Sequence, residues 1–223
     1  MTEKKRPLIV YDLECGMKGW SQAFEDRGHK VVSVDIDKKF KPTVAVDINE
    51  LDGIVMVRIH GRPDVVLASP PCNKFSVASL YHNWEKTTGL PKNDQTREAI
   101  RLVGNTIKVI MELQPKYWFL ENPRGMMRRV LGPPATTVTY CQYGERIMKP
   151  TDLWGVFPKA FKPLSCKNGD PCHERARRSS QKGTQGIVKN KFYNKYRAAE
   201  IRAKVPYGLS KAVCIACEEA IYA

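Results

Sequence analysis

Apolar residues along the first 157 positions fall into short runs, separated by polar turns and amphipathic segments. Continuous runs rich in Val and Ile are typical of strands that are buried on both faces of a parallel sheet. Seven runs fit this description, at residues 8–12, 31–35, 44–47, 64–68, 117–121, 136–140 and 152–157. The pattern therefore predicts an α/β fold with a mostly parallel, seven-stranded sheet.

Amphipathic segments with a 3.6-residue period predict the helices that cover this sheet. One segment begins at Trp20 and is closed by Gly28, a residue that commonly ends helices. A longer segment covers roughly residues 94–114, and a last one covers residues 209–223. The long helix would turn four apolar residues to the core: Ile100, Val103, Ile107 and Ile110.

Five residues capable of chemistry lie at the ends of these runs or just beyond them. They are Asp12, Asp35, Asp47, Cys72 and Glu121. The carboxyl ends of parallel strands share one edge of a sheet, and ligands of open α/β sheets bind beyond that edge. We therefore expect the five side chains to line one site.

The segment DLECGMKG, residues 12–19, follows the first strand and opens the first helix. Gly16 and Gly19 permit a tight turn and the close approach of a ligand to the backbone. The segment lacks the GK[ST] of a phosphate-binding P-loop. Asp35 suits hydrogen bonds to ribose hydroxyls, and Asp47 suits an adenine amine. These groups favour an adenosine-containing ligand without a polyphosphate.

Basic residues are concentrated in one part of the chain. The formal net charge of the 223 residues is +14. Residues 159–204 hold thirteen Lys and Arg against three acids, with Tyr and Phe interleaved. Such a mixture suits contact with phosphates and stacking on bases. The charge pattern therefore favours a nucleic-acid partner over a merely solvated surface.

The seven cysteines are not expected to form a disulfide framework, because the number is odd and no secretory signal is present. No apolar stretch reaches 18 residues, so we expect no membrane span and an intracellular protein.

Cys214 and Cys217 form a CxxC that we interpret as buried thiols of the last helix. Four possible zinc ligands occur in or near the basic segment: Cys141, Cys166, Cys172 and His173. Their spacing is not that of a paired CxxC site, so we interpret them as reduced thiols in a loop, with structural zinc as the alternative.

Three sequence segments together carry a resemblance to a known family: DLECGMKGWSQAF at 12–24, SPPCNKFS at 69–76 and LENPRG at 120–125. In order and spacing they resemble the S-adenosylmethionine-dependent DNA cytosine-5 methyltransferases, above all the compact viral and prokaryotic members. The resemblance runs from about residue 8 to about 155 and resumes at RAKVPYGLSKAV, residues 202–213. It implies a Rossmann-like methyltransferase fold.

The resemblance also implies roles for matching positions. Cys72 would be the nucleophile that attacks carbon 6 of cytosine, and Glu121 would contact ring nitrogen 3 and the exocyclic amine. S-adenosylmethionine would be held by Asp12, Leu13, Glu14, Cys15, Gly16, Gly19, Asp35, Ile36, Asp47, Ile48 and Pro71.

This chemistry explains why two prolines precede the thiol. Addition of a thiolate to carbon 6 makes carbon 5 of cytosine nucleophilic, and Glu121 stabilises the adduct at nitrogen 3. Pro70 and Pro71 restrict the backbone before Cys72, so the thiol is presented with little freedom. Because the target carbon lies inside the duplex stack, the cytosine must be flipped out or already unpaired.

Two departures from the family pattern keep alternatives open. Glu14 stands where the family usually has an apolar residue against the adenine. The family's later arginine-containing segment has no clear counterpart, and Arg146 and Lys149 are the candidates in its place. The alternatives to DNA methylation are the same reaction on transfer RNA and a catalytically weak relative that binds DNA. Methylation of amino groups is disfavoured, because those enzymes carry an aromatic residue at the position of Cys72.

We divide the chain into a catalytic domain, residues 1–157 and 205–223, and a small basic target-recognition segment, residues 158–204. A monomer is expected, in the cytoplasm of its cell or, for a viral protein, of its host. The candidate DNA contacts are Asn73, Lys74, Ser76, Arg124, Arg146, Lys149, Arg175, Arg177, Arg178 and Lys182.

Overall fold

A computed structural model describes residues 5–174 and 203–223. Its seven strands are β1 (Ile9–Leu13), β2 (Lys30–Asp35), β3 (Val44–Ala45), β4 (Val65–Ala68), β5 (Tyr117–Pro123), β6 (Thr136–Thr139) and β7 (Pro150–Val156). They form one sheet in the order β3-β2-β1-β4-β5-β7-β6. The neighbours from β3 to β5 are parallel, whereas β7 runs antiparallel to both β5 and β6. The mostly parallel, seven-stranded sheet is therefore confirmed.

The described helices are α1 (Gln22–Asp26), α2 (Gly53–His60), α3 (Leu80–Asn83), α4 (Asp94–Leu113), α5 (Met127–Leu131) and α6 (Tyr207–Tyr222). Each of the three predicted helical segments overlaps one of them, and α6 begins two residues before the predicted start. Helix α2 was not predicted, although Asp52 before it is a good N-cap residue. The Asp52 carboxylate accepts hydrogen bonds from the N–H groups of Ile54 and Val55.

Successive residues of the central strands point to opposite faces of the sheet. Val10 of β1 and Leu67 of β4 belong to a core cluster that contains residues of α1 and α6. Tyr11 and Val66, one position away on the same strands, belong to a second cluster with residues of α2 and α4. Both faces are thus covered, which explains why the strand sequences are continuously apolar rather than alternating.

Helix α6 is fastened to the turn after β1. The Ser210 hydroxyl donates to the carbonyl of Trp20 at 2.6 Å and accepts from the N–H of Ala23 at 3.1 Å. A Cβ on Gly19 would stand 2.6 Å from the carbonyl oxygen of Val205, so only glycine allows this approach. The end of the chain is thereby packed against the glycine turn.

Within the described ranges, no helix combines the length and the apolar character that a membrane crossing requires.

Candidate active site

A cavity of about 420 Å³ lies at the carboxyl ends of β1, β2, β4 and β5. Cys72, Glu121 and Lys149 are in its wall, together with the glycine turn. Of the residues proposed to hold the cofactor, the cavity is lined by Glu14, Cys15, Gly16, Gly19, Asp35, Ile36, Asp47, Ile48 and Pro71. The topology therefore brings most of the candidate residues to one place.

Asp12 and Leu13 are the exceptions. Both are fully buried, and neither is among the residues that line the cavity. The Asp12 carboxylate accepts a hydrogen bond of 2.6 Å from the Ser21 hydroxyl, and burial raises its pKa to about 7. The prediction that the Asp12 side chain lines the shared site is wrong: it lies beneath the turn and fastens the start of α1.

The glycine turn is open toward the cavity. Gly16 has a φ of +46°, and a Cβ at this position would meet no atom within 4 Å. Its N–H donates to Asp35 Oδ2 at 2.8 Å, while the N–H of Asp37 donates to Asp35 Oδ1 at 2.8 Å. Asp35 thus joins the turn after β1 to the turn after β2 and fixes the shape of this wall.

Glu14 brings a carboxyl group to the same wall. Its backbone is in the left-handed region at φ +52°. The hydroxyl of Thr106 on α4 donates to Glu14 Oε1 at 2.6 Å, whereas the buried Oε2 has no hydrogen-bond partner among the described residues. Burial raises the pKa of Glu14 to about 8, although the Thr106 hydrogen bond opposes the shift. These surroundings therefore favour the protonated form of the Glu14 carboxyl group.

The loop that carries Cys72 is held by the neighbouring strand β5. The side-chain amide of Asn122 donates to the carbonyl of Pro70 at 2.9 Å, inside the protein. The N–H groups of Phe75 and Ser76 both donate to the carbonyl of Cys72 at 3.0 Å. The loop is therefore fixed on both sides of the thiol, and the restriction expected from the prolines is one part of a larger clamp.

The end of β5 also packs directly on this loop. The N–H of Met126 donates to the carbonyl of Phe75 at 2.7 Å. A Cβ on Gly125 would lie 2.2 Å from that carbonyl oxygen, a distance that no real Cβ occupies. The glycine of LENPRG is thus required by the close approach of two backbones.

Glu121 is almost completely buried at the base of the cavity, with 4% of its surface exposed. The Tyr140 hydroxyl donates to Glu121 Oε1 at 2.8 Å. Lys149 Nζ lies 4.4 Å from the centre of the Tyr140 ring. Burial raises the pKa of Glu121, and the Lys149 charge and the Tyr140 hydrogen bond limit that rise. These three side chains therefore form one electrostatic unit.

The structure separates the two candidates for the missing arginine. Lys149 lines the cavity beside Glu121. Arg146 pairs with Glu174 instead, and the carbonyl of Arg146 accepts from the N–H of Glu174 at 2.9 Å. Lys149 is thus the cation of this pair that reaches the site.

One of the remaining candidate DNA contacts, Asn73, lines the cavity, and three others are described in the loops nearby in sequence. Lys74 donates to Gln95 Oε1 at 2.8 Å. The Ser76 hydroxyl faces that of Ser79, and the N–H of Arg124 donates to the carbonyl of Pro150. Four candidates lie outside the described residues: Arg175, Arg177, Arg178 and Lys182. Their role in binding DNA stays a prediction.

Sequence reasoning missed three contributors to the site. Tyr140 ends the sixth apolar run, and the strand-end argument applied to the other five residues would also have selected it. Asn122 stands inside the LENPRG segment without an assigned role. Residues 203–205 also line the cavity, and nothing in their composition indicates it.

Comparison with known proteins agrees with this geometry. The model of the C-5 cytosine-specific DNA methylases matches residues 8–139, more than half of the chain. The chain belongs to this family. It is 33% identical over 180 residues to the "Probable DNA (cytosine-5)-methyltransferase" of Frog virus 3 (isolate Goorha), covering 78% of this chain and 81% of that relative.

Other matches cover less. The type II methyltransferase M.XorII of Xanthomonas oryzae pv. oryzae is 32% identical over 136 residues, which are 54% of this chain and 29% of that protein. A solved structure from E. coli titled "putative DNA modification methyltransferase encoded within prophage" is 18% identical, with a TM-score of 0.49. That match covers 72% of this chain and 52% of the other.

Gly125→Ala is expected to displace the Cys72 loop, because the added Cβ meets the carbonyl of Phe75. Overpacking of this kind lowers the free energy of unfolding by about 1–3 kcal/mol. The turnover of the fraction that stays folded should also fall, because the Cys72 loop is displaced. Gly104→Ala is the matched control: its Cβ meets nothing within 4 Å on the exposed face of α4. It should stabilise the protein by about 0.5–1 kcal/mol. Urea unfolding and turnover measure both, and equal behaviour of the two variants would contradict the clamp.

Glu14→Gln should make the protein less sensitive to alkaline pH. The pKa of Glu14 is about 8 in the folded chain and about 4.3 in an unfolded one. The folded state therefore binds more protons, and its stability falls as pH rises from about 4.5 to 8. Glutamine removes this term and still accepts from Thr106.

The measurement is the difference in free energy of unfolding between Glu14→Gln and the unmodified protein at about pH 5 and pH 8. The variant should gain on the order of 2 kcal/mol or more at the higher pH. Asp12 also titrates in this window and interacts with Glu14, so the difference between the two proteins includes the loss of that interaction. A difference that stays constant with pH would contradict a buried neutral Glu14.

Proposed function

We propose that this chain transfers a methyl group from S-adenosylmethionine to carbon 5 of cytosine in DNA, through a covalent adduct with Cys72. The observation that carries the proposal is that Cys72 and Glu121 share one cavity wall with the glycine turn and the acids after β2 and β3. Family membership supports DNA cytosine methylation in general. The geometry supports separate roles for Cys72, which would bond to the base, and Glu121, which would donate to it.

The residues of the cavity fit S-adenosylmethionine. A volume of about 420 Å³ lies within the range of about 300–1,000 Å³ that small-molecule sites occupy. Asp35 would receive the ribose hydroxyls, and Asp47 would face the adenine amine beside the apolar Ile48. The open backbone at Gly16 leaves room for the rest of the molecule. When bound, this cofactor supplies a methyl group attached to a positively charged sulfur.

Cys72 would form the covalent bond to the base. Its thiolate donates an electron pair to carbon 6 of the cytosine, and the displaced π electrons make carbon 5 nucleophilic. Carbon 5 would then bond to the methyl group as the bond between that methyl group and sulfur breaks, and the electron pair of the broken bond would stay on sulfur as a neutral thioether. Loss of the carbon 5 proton to a base restores the double bond and expels the Cys72 thiolate, so that the enzyme is regenerated.

Glu121 would hold the proton that this addition requires. Negative charge develops on nitrogen 3 as the thiolate adds, and a carboxyl group of raised pKa can donate a proton or a hydrogen bond there. Tyr140, through its hydrogen bond, and Lys149, through its charge, would orient the Glu121 carboxyl group. Because Glu121 is 4% exposed, a cytosine that reaches it must leave the base stack.

The DNA substrate would be held mainly by the basic sequence between residues 159 and 204. Thirteen cations in that stretch suit sequence-independent contact with phosphates. This attraction does not itself distinguish DNA from RNA, so the choice of substrate needs a direct experiment.

Incubation with S-adenosylmethionine and duplex DNA containing 5-fluorocytosine should give an adduct that survives denaturation. The fluorine cannot leave as a proton, so the enzyme stays attached through Cys72. Mass spectrometry should find the adduct on the peptide that contains Cys72. Cys72→Ser should lose it and keep its affinity for DNA, whereas Cys217→Ala, a change remote from the cavity, should keep it.

Other outcomes of this trap distinguish the alternatives. An adduct with RNA and none with DNA would transfer the proposed reaction to RNA. Undiminished methyl transfer by Cys72→Ser would rule out the covalent mechanism. Salt-sensitive DNA binding without transfer or adduct would indicate a catalytically weak DNA-binding protein.

Substitutions of Glu121 and Tyr140 should have different effects on kcat. Glu121→Gln removes the proton donor and should lower kcat by about 10²–10⁴-fold. Tyr140→Phe removes one hydrogen bond and should lower kcat about tenfold. That hydrogen bond limits the pKa of Glu121, so its loss should raise the pKa and move the alkaline limb of the pH–rate profile to higher pH. A tenfold loss without that displacement would indicate a purely structural role for Tyr140.

A further inference from the structure

The strongest unexplained cluster of side chains lies behind the active site, at the end of β6. Cys141 belongs to the 3-10 turn Tyr140–Tyr143, while Cys166, Cys172 and His173 come from the segment after β7. Their ligand atoms all lie within 4.8 Å of one another. The sequence spacing favoured isolated thiols in a loop, but the fold brings four metal-binding groups together.

Three of four ligand-to-ligand distances are within about 0.1 Å of the edges of a zinc tetrahedron, and the fourth, between Cys141 and Cys166, is shorter. A zinc ion with Zn–S bonds of about 2.3 Å and a Zn–N bond of about 2.0 Å holds its ligand atoms roughly 3.5–3.8 Å apart. Cys141 Sγ lies 3.2 Å from Cys166 Sγ and 3.8 Å from Cys172 Sγ. His173 Nδ1 lies 3.6 Å from the Cys166 sulfur and 3.4 Å from the Cys172 sulfur.

We propose that Cys141, Cys166, Cys172 and His173 bind one zinc ion in a closed, structural site. Three thiolates and one imidazole in tetrahedral arrangement are a ligand set that selects zinc. Four protein ligands leave no position for a substrate, so the ion has no part in methyl transfer. Neutral thiols are weak hydrogen-bonding groups, and their convergence on an imidazole gains little without a cation.

The backbone around the cluster is arranged to hold it. The N–H of Cys166 donates to the Thr139 hydroxyl at 2.9 Å, and the N–H of Thr139 donates to the carbonyl of Leu164 at 3.1 Å. The N–H of Leu164 donates to the Tyr143 hydroxyl at 2.8 Å. The segment after β7 is thus already laid against β6 and its following turn, with the sulfurs facing one another.

The position of the site suggests what the ion stabilises. Residue 174 is the last before the strongly basic sequence that begins RARR at 175, and its N–H donates to the carbonyl of Arg146. Cys141 directly follows Tyr140, the hydrogen-bond partner of Glu121. Zinc would therefore join the residues just before the sequence RARR to the 3-10 turn Tyr140–Tyr143, which carries the hydrogen-bond partner of Glu121.

The test is the metal content of the reduced, full-length, tag-free protein after dialysis against a chelating resin. Elemental analysis should find one zinc per chain. Cys172→Ala should lose it, and this variant should fold because Cys172 is exposed. Cys214→Ala should keep one zinc, although Cys214 with His29 and Glu218 forms the other group of potential ligands in the described chain.

Cobalt substitution reports the type and geometry of the ligands. Replacement of zinc by Co²⁺ should give thiolate-to-metal charge-transfer bands and the intense visible bands of tetrahedral coordination, and both should disappear in Cys172→Ala. A protein without metal whose thiols are all titratable overturns the proposal, and so does a Cys141–Cys166 disulfide, detected as the loss of two hydrogens. Zinc retained in Cys172→Ala and lost in Cys214→Ala would overturn it as well. None of these readouts depends on methyl transfer, so the two proposals can fail separately.

Discussion

The active site depends on one contact between neighbouring strands: the end of β5 holds the loop that follows β4. Asn122 donates its amide to the Pro70 carbonyl, and the backbone after Pro123 lies so close to Phe75 that residue 125 must be glycine. The hydrogen bond between Asn122 and Pro70 is buried, where an unpaired polar group is costly. Cys72 and Glu121 are therefore positioned by the same strand, so a movement of β5 would displace the two together rather than separate them.

Burial is the common cause of the acid chemistry at this site. Asp12, Glu14 and Glu121 all have raised pKa values, and in each case the largest cause is the loss of water around the carboxyl group. The partners that oppose this rise differ. A hydroxyl donates to each of the three carboxyl groups, and a cation also lowers the pKa of two of them: Lys18 that of Asp12 and Lys149 that of Glu121. Glu121 is the one of these two that lines the cavity. In the proposed reaction, the Lys149 charge would help Glu121 to release its proton.

The sequence predicted the sheet well because parallel buried strands leave a direct mark, a continuous apolar run that ends at a polar residue. It predicted the membership of the cavity from the same rule, and the rule was wrong at Asp12, whose side chain points beneath the turn. Which of Arg146 and Lys149 reaches Glu121 could not be predicted, because the answer depends on a pairing with Glu174, 28 residues further on. The cysteine cluster was equally hidden: its members are brought together by the hydrogen bonds of Thr139 and Tyr143, not by spacing.

The residues expected to bind DNA and the residues expected to react with the base lie in different parts of this chain. In the proposed reaction, the cations of residues 159–204 would attract a phosphate backbone at long range, and this attraction would weaken with salt. A cytosine would have to leave its stack to enter the cavity, at a cost of a few kcal/mol. Contacts with the backbone would therefore have to offset the cost of flipping before Cys72 and Glu121 could act. A segment that performs this function needs a fixed attachment to the catalytic domain. The hydrogen bonds that join residues 164, 166 and 174 to the β6 region provide it.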